Sequence, residues 1–184
     1  MRRGWMDWSP EEVPQALLHE RVQQVAAACA AQGLDALVLY ASFARPAQVA
    51  ALTHFVPFWS QALLVVTRDG RTLLTMATTG RTVQWIRSTS VADEVRVGPD
   101  IGTTAGEWLA QTLRPQRVGV ASLADVPRAA LDSLRRALPG TAWADAQPWY
   151  ATLEAGFTPT PLVAQRALAL ARTALAEVTV CVPG

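Results

Sequence analysis

Two apolar runs joined by a tight turn constrain the fold of this chain more than any other feature. The stretch QALLVVTRDGRTLLTM, residues 61–76, holds two strand-length runs with Asp69 and Gly70 between them. An Asp-Gly pair flanked by apolar residues is a strong hairpin signal, because the favoured turn needs positive φ angles that these residues tolerate. The hairpin makes its strands antiparallel neighbours, so any larger sheet that contains it is antiparallel at this point.

The segments on either side of the hairpin alternate between helix and strand patterns. Residues 9–33 are typical of a helix, because Ser9 is a capping residue, Pro10 suits the first helical position and Gly33 ends the apolar periodicity. The apolar stretch DALVLYAS then predicts a strand buried on both faces. Further along the chain we predict short strands in EVRVG, RVGVAS and TAWADAQ, and helices in residues 45–55, 78–90, 102–115, 125–140 and 157–178. Thr103 or Thr104 is the expected cap of the helix in 102–115.

This alternation predicts an α/β domain with a mixed sheet of about six strands flanked by helices. We assign residues 1–157 to this domain, with an N-terminal arm at 1–9 that carries Trp5 and Trp8. Residues 158–184 form a C-terminal linker helix and tail. Apolar residues cover most of the sequence of that helix, so we expect it to be buried against a partner.

The residue types present exclude several classes of chemistry. All 16 basic residues are arginine, so no lysine can form a Schiff base or serve a phosphate-binding loop. A net charge of +1 favours neither a nucleic acid nor a membrane surface as partner. The segment before the first helix lacks the apolar core of a signal peptide, and the two cysteines, Cys29 and Cys181, lie far apart. We therefore expect a reduced, cytoplasmic protein.

The chain also lacks an evident catalytic or metal site. Metal binding needs several convergent ligands, yet there are only two histidines, His19 and His54, and no spacing groups carboxylates around them. Cys29 lies among alanines late in a helix, where a buried structural thiol is expected rather than a nucleophile. We predict no catalytic residue, no metal ligand and no cofactor in this chain.

The order of these segments resembles the N-terminal domain of the creatinase, prolidase and aminopeptidase P metallohydrolases, a ribonuclease H-like fold. The matching features are GLDA at residues 33–36, ALTHF at 51–55 and the Asp-Gly hairpin. His54 departs from the family, which commonly has glycine there. The resemblance implies that two aspartates, one histidine and two glutamates around divalent metal ions lie in a following pita-bread domain, and we expect those metals in a partner chain.

The same resemblance suggests which residues contact substrate. In relatives, residues at the start of the hairpin reach into a neighbouring subunit's active site, and Phe58 and Ser60 are the counterparts of an aromatic residue and an arginine used there. Ser60 does not keep the positive charge, and Arg45 is a candidate for supplying it. The expected substrate-binding residues, contributed to a partner's site, are Arg45, His54, Phe55, Phe58, Trp59 and Ser60.

Three functions remain open from the sequence. The favoured one is a non-catalytic subunit that pairs with a separate pita-bread chain, or self-associates, and takes part in C–N bond hydrolysis of a small amide, amidine or peptide. The second is a stand-alone homodimeric module that binds a small molecule or peptide, which ligand-induced thermal stabilisation would reveal. The third is an enzyme in its own right. The sequence is also compatible with a fragment of a longer gene product.

Overall fold

The computed structural model of the chain describes residues 9–180. Its strands are β1 (Ala36–Ser42), β2 (Gln61–Thr67), β3 (Thr72–Met76), β4 (Glu94–Val97), β5 (Arg117–Val120) and β6 (Ala142–Asp145). Its helices are α1 (Gln15–Ala31), α2 (Ala47–Thr53), α3 (Val83–Ser88), α4 (Ile101–Thr112), α5 (Arg128–Ala137), α6 (Gln147–Ala155) and α7 (Pro161–Val180), with a 3₁₀ turn at Gly80–Thr82.

The six strands form one sheet in the order β4-β3-β2-β1-β5-β6. Strand β2 is antiparallel to both of its neighbours, β1 and β3, whereas the β1–β5, β3–β4 and β5–β6 pairs are parallel. The mixed six-stranded sheet flanked by helices confirms the fold prediction. It also means that five strands point the same way, so their carboxyl ends meet at one edge of the sheet.

The hairpin forms where the sequence predicts it. Gly70 has a φ of 83°, and its amide donates to the Thr67 carbonyl at 2.9 Å. The left-handed conformation is accessible to glycine without steric cost, which is why this turn needs it. Beyond the turn, Leu64 faces Leu74 across the β2–β3 ladder, and every residue of β3 is buried.

Two layers of helices cover the sheet, one on each face. Helices α1, α2, α3 and α6 pack on the face that carries Leu37, Leu39 and Leu64, whereas α4 and α5 pack on the face that carries Val38 and Leu63. Successive residues of a strand point to opposite faces, so the continuous apolar run of β1 serves both layers. The prediction that β1 is buried on both faces is confirmed, since Ala36 to Ala41 are all buried.

The main differences from the prediction are two element boundaries and one additional helix. Helix α1 begins at Gln15, after Pro14, instead of near Pro10, because proline disfavours helical geometry in the residue before it. Residues 9–13 instead form a turn in which the Ser9 carbonyl accepts the Glu12 and Val13 amides. The cap of α4 is Asp100, whose carboxylate accepts the amides of Gly102 and Thr103 at 3.0 and 3.1 Å, and neither Thr103 nor Thr104 has that role.

The third difference is a helix that the sequence analysis missed. Residues Gln147–Ala155 form α6, with Pro148 in its first turn, a position that suits proline. Tyr150 of α6 is fully buried, and its hydroxyl donates to the Gln48 carbonyl at 3.3 Å. The helix is short and its apolar residues are irregularly spaced, so periodicity alone does not reveal it.

Asp35 of the GLDA motif joins two strands at their amino ends. Its Oδ2 accepts the backbone amides of Gln116 and Arg117 at 2.7 and 3.0 Å, and its Oδ1 lies 3.0 Å from Nη1 of Arg68. The carboxylate thus fixes the entry to β5 beside β1. The motif residue is structural in this fold.

We expect the Asp35→Ala substitution to lower the free energy of unfolding by about 2 kcal/mol, because two amide donors lose a charged acceptor. Urea denaturation followed by circular dichroism measures the change. The matched control is Asp132→Ala, which removes an exposed ion pair with Arg128 within α5 and should cost about 0.5 kcal/mol or less. Equal effects of the two substitutions would contradict the role assigned to Asp35.

Arg21 attaches the segment before α7 to the domain. Its guanidinium donates to the carbonyls of Ala51 and Thr158, each at 2.9 Å, and lies 5.3 Å from the centre of the Phe157 ring. Arg166 of α7 forms an ion pair with Glu12. The first turns of α7 are therefore fixed against α1 and the preceding turn.

Residues 164–176 of α7 are exposed within the described chain. Leu168, Leu170 and Leu175 are 52%, 72% and 68% exposed. An advance of about 100° per residue places these three leucines on one half of the helix, with Leu175 opposite Arg166. The described part of the domain therefore leaves these leucines in water. None of the described helices is both long and apolar enough to cross a membrane.

Candidate functional site

The loop from His54 to Ser60 enters β2 at the edge of the sheet where β1 and β3 end. The register shows this directly, because Gln61 at the start of β2 faces Ser42 at the end of β1, and Ala62 faces Met76 at the end of β3. The carboxyl-end edge of an open α/β sheet is the usual location of ligand sites. The loop that the sequence singled out therefore lies at the edge of the sheet where ligand sites are most often found.

His54 ends helix α2 in the left-handed conformation, with a φ of 61°. Its amide donates to the Ala50 carbonyl at 2.8 Å, which closes the last turn of the helix. Glycine is the residue that fits this position best, which explains why a glycine-to-histidine departure here carries backbone strain. Burial lowers the pKa of the imidazole from its ordinary 6.5, and the nearby charge of Glu12 opposes that shift.

Five aromatic rings form a continuous array beside this loop, which we call the aromatic array. Phe43 contacts Phe58 at a centroid distance of 6.1 Å, and Phe58 contacts Trp59 at 5.5 Å, both edge to face. Trp59 stacks on Trp85 at 5.7 Å, and Trp85 meets Phe55 at 5.9 Å. Such ring distances and angles are those that aromatic quadrupoles favour.

The array runs from the core to solvent. Phe55 is 1% exposed and belongs to the core, whereas Phe43, Phe58 and Trp59 are 64%, 40% and 62% exposed. The structure thus brings together three of the predicted residues, Phe55, Phe58 and Trp59. Phe55 anchors the array in the core, whereas Phe58 and Trp59 are exposed. Sequence analysis missed Phe43 and Trp85, because they come from the β1–α2 turn and from α3, and only tertiary packing brings them here.

Ser60 has a structural role at the base of the loop. Its hydroxyl donates to the Ala77 carbonyl at 2.6 Å and so ties the start of β2 to the end of β3. This bond uses the only proton of the hydroxyl, which leaves Ser60 with acceptor capacity alone toward a ligand.

Arg45 pairs with an acidic residue that is not part of the aromatic array. Its guanidinium forms an ion pair with Asp125 of the loop after β5, and both residues line a cavity of about 400 Å³. The residues of His54–Ser60 are not among those that line this cavity. Arg45 is thus paired within the chain, and its contact with substrate stays a prediction.

In the described part of the chain, neither metal ligands nor activated nucleophiles are grouped into a site. Within residues 9–180, no group of three or more histidine, cysteine, aspartate or glutamate side chains is placed to hold a metal ion. Cys29 is fully buried in α1, and burial raises the pKa of its thiol to about 12. A thiol with that pKa is not a nucleophile at neutral pH. His19 is exposed on α1, and Cys181, Trp5 and Trp8 lie outside the described residues.

The sequence model of the family described as Creatinase/Prolidase N-terminal domain matches residues 21–154. The chain belongs to this family. The match covers the whole sheet and helices α2 to α5, with most of α1 and α6, and ends before α7. A search of curated proteins found no match.

Solved structures of the family share the fold. The N-terminal domain of the cytoplasmic peptidase PepQ from Mycobacterium tuberculosis is 26% identical, with a TM-score of 0.59 over 73% of this chain and 98% of that one. An Xaa-Pro aminopeptidase from Streptococcus thermophilus is 16% identical, with a TM-score of 0.58 over 74% and 97% of the two chains. An Xaa-Pro dipeptidase from Bacillus anthracis is 13% identical, with a TM-score of 0.58 over 74% of this chain and 35% of that one.

The lowered pKa of His54 predicts how stability depends on pH. In the unfolded chain the imidazole titrates near 6.5, whereas in the folded domain it titrates at lower pH. Between these two values the unfolded state binds more protons, so the contribution of His54 is present above pH 6.5 and is lost as the pH falls through that window. We expect wild type to lose stability relative to His54→Asn between about pH 7 and pH 5, since asparagine tolerates the left-handed conformation without titrating.

Urea midpoints at a series of pH values measure this difference. Burial raises the pKa of Glu154, which acts with the opposite sign as the pH falls toward 4.5, but Glu154 is present in both proteins and cancels in the comparison. The control Gln111→Asn changes an exposed side chain of α4 that does not titrate, and it should keep the wild-type pH dependence. Parallel pH profiles for wild type and His54→Asn would contradict the buried, uncharged imidazole.

Proposed function

We propose that this creatinase/prolidase N-terminal domain is a non-catalytic partner that completes the active site of a pita-bread metallohydrolase carried on a separate chain. The observation that supports this proposal most strongly is the exposed aromatic array at the carboxyl-end edge of the sheet. Phe43, Phe58 and Trp59 present large apolar rings to solvent in one place. Clustered exposed aromatics of this kind mark interfaces or ligand sites, because leaving such a surface in water is unfavourable.

The exposed leucines of α7 support a second point of contact with the same partner. Leu168 and Leu170 are both more than half exposed, on a helix that is fixed at its start by Arg166 and by the residues bonded to Arg21. A fixed helix with exposed leucines on one half is suited to lie in a groove of another protein. Docking of α7 would orient the aromatic array toward the partner's active site.

The reaction of the proposed complex is hydrolysis of a C–N bond in a small amide, amidine or peptide. Similarity to the N-terminal domain of a cytoplasmic peptidase favours a peptide substrate and a cytoplasmic location. The partner's divalent metal ions would activate the attacking water and polarise the scissile carbonyl. The aromatic array would hold an apolar part of the substrate and exclude bulk water from the site, which is a positioning role.

Co-expression tests this proposal. The chain is produced alone and together with a pita-bread protein of the same organism that lacks its own N-terminal domain, and each sample is analysed by size-exclusion chromatography with light scattering. We expect a stable complex, with peptidase activity that exceeds that of the catalytic protein alone. A chain that stays separate from every such candidate and forms a homodimer that is stabilised by ligand would favour the binding-module alternative.

A further inference from the structure

A cavity lined by both apolar and polar groups lies at the point where the strand order of the sheet reverses. From β1 the chain builds the sheet outward through β2, β3 and β4, and then returns to place β5 on the other side of β1. In open α/β sheets this reversal leaves a crevice outside the carboxyl ends of the two central strands, and ligands bind there. The cavity of about 400 Å³ occupies this position, between the turn after β1 and the loop after β5.

Charged groups of both signs and neutral hydroxyl groups line the cavity. Arg45 and Asp125 form an ion pair in which the side chains are 66% and 29% exposed, so either partner can exchange its bond for one to a ligand at little cost. Glu154 of α6 supplies a second carboxyl group. Hydroxyl groups come from Tyr40 at the end of β1 and Ser122 after β5.

A network of side-chain amides fixes the floor of the cavity. The Ser122 amide and hydroxyl donate to the Gln147 side-chain oxygen at 2.7 and 3.0 Å, and the Gln48 amide nitrogen donates to the same oxygen at 3.3 Å. Ser122 itself has a φ of 51°, a conformation that non-glycine residues adopt at a cost. The loop after β5 is thus held in one shape by α2 and α6, which is what a preformed site requires.

We propose that this cavity binds a small zwitterion of dipeptide size. Arg45 provides a cation for the ligand's carboxylate, and Asp125 and Glu154 provide acceptors for its ammonium group. A volume of about 400 Å³ lies toward the lower end of the range for small-ligand pockets. The site is distinct from the aromatic array and does not depend on the function proposed above.

The surroundings of Glu154 agree with this assignment. Burial raises the pKa of its carboxyl group, so the empty cavity disfavours the negative charge. A ligand ammonium group would offset that desolvation and favour the carboxylate form. The cavity would then hold one cation and two anions against the ligand's two opposite charges, with the Tyr40 hydroxyl as a neutral donor and the Ser122 oxygen as an acceptor.

Isothermal titration of the purified chain with glycyl-L-alanine tests the proposal. We expect saturable 1:1 binding, weakened at least roughly tenfold by N-acetylation of the dipeptide and by amidation of its carboxylate, because each removes one charged partner. Arg45→Gln should weaken binding by a similar factor. Since Arg45 is exposed, this variant should fold, and Glu154→Gln provides a second variant within the same cavity.

The matched control is Arg71→Gln, which breaks an exposed ion pair with Asp69 in the hairpin turn at the opposite edge of the sheet. It should bind the dipeptide as wild type does. The proposal is overturned if wild type shows no saturable binding at tens of millimolar dipeptide. It is also overturned if both blocked dipeptides bind equally well, or if Arg45→Gln and Glu154→Gln leave the affinity unchanged. None of these outcomes bears on complex formation with a catalytic partner.

Discussion

The double variant Phe58→Ala, Trp59→Ala is expected to lose at least roughly 100-fold in affinity for the pita-bread partner, because two exposed aromatic anchors at an interface each contribute about 2 kcal/mol or more. Its fold should persist. Phe58 and Trp59 are 40% and 62% exposed, and the buried end of the array, Phe55 against Trp85, remains in place. We therefore expect the unfolding free energy to fall by about 1 kcal/mol or less.

Pull-down with the partner immobilised and titration by surface plasmon resonance measure this loss. The control variant Arg71→Ala changes an exposed side chain in the hairpin turn, at the opposite edge of the sheet from the array, and should bind as wild type does. The Leu168→Ala variant tests the contribution of α7 to binding independently of the aromatic array, because it removes an exposed side chain of α7 only. If the double variant bound with wild-type affinity, the aromatic array would not be part of the interface.

The Gly102→Ala substitution is expected to lower the free energy of unfolding by about 3 kcal/mol, the upper part of the range for overpacking a close contact. A Cβ atom at this position would lie 2.0 Å from the Ala130 carbonyl oxygen and 2.4 Å from the Ser133 hydroxyl. Backbone at that distance cannot yield unless α4 and α5 move apart. Such a movement would also strain the hydrogen bond from Ser133 to the Asp100 cap, which is 2.7 Å long.

The same substitution is informative because helix propensity predicts the opposite sign. Alanine is favoured over glycine in a helix by about 1 kcal/mol, so a stabilised variant would show that the two helices are not in close contact. Urea denaturation gives the unfolding free energy. Gly80→Ala is the control, since a Cβ atom there would have no neighbour within 4 Å and should change stability by about 0.5 kcal/mol or less.

Most of the fold could be predicted from the sequence, because it depends on patterns that are local in the chain. The Asp69–Gly70 turn requires a hairpin, and the apolar runs before and after it are too short and too continuous for amphipathic helices. The alternation of strands and helices then implies a mixed sheet covered on both faces, and the structure has it. The predicted start of α1 was wrong, because Pro14 disfavours helical geometry in the residue before it although Ser9 is a suitable cap.

The candidate site was only partly predictable, because its members come from distant segments. The loop at His54–Ser60 lies at the edge of the sheet where β1 and β3 end, and Phe58 and Trp59 are exposed there, as a substrate-facing rim would require. The pairing of Arg45 with Asp125, 80 positions further along the chain, could not be predicted from neighbouring residues. Phe43 and Trp85 carry no signal of their own in the sequence.

Residue type and order by themselves determined the family, the hairpin, the six-stranded sheet and the scarcity of metal-binding and nucleophilic side chains. These properties depend on backbone preferences and on composition, which each short segment expresses independently of the rest. Tertiary structure alone decided which rings meet in the aromatic array, which carboxylate pairs with Arg45 and which leucines of α7 remain in water. Each of those outcomes depends on strand order and helix packing, since contacts between distant segments form only when the whole sheet is assembled.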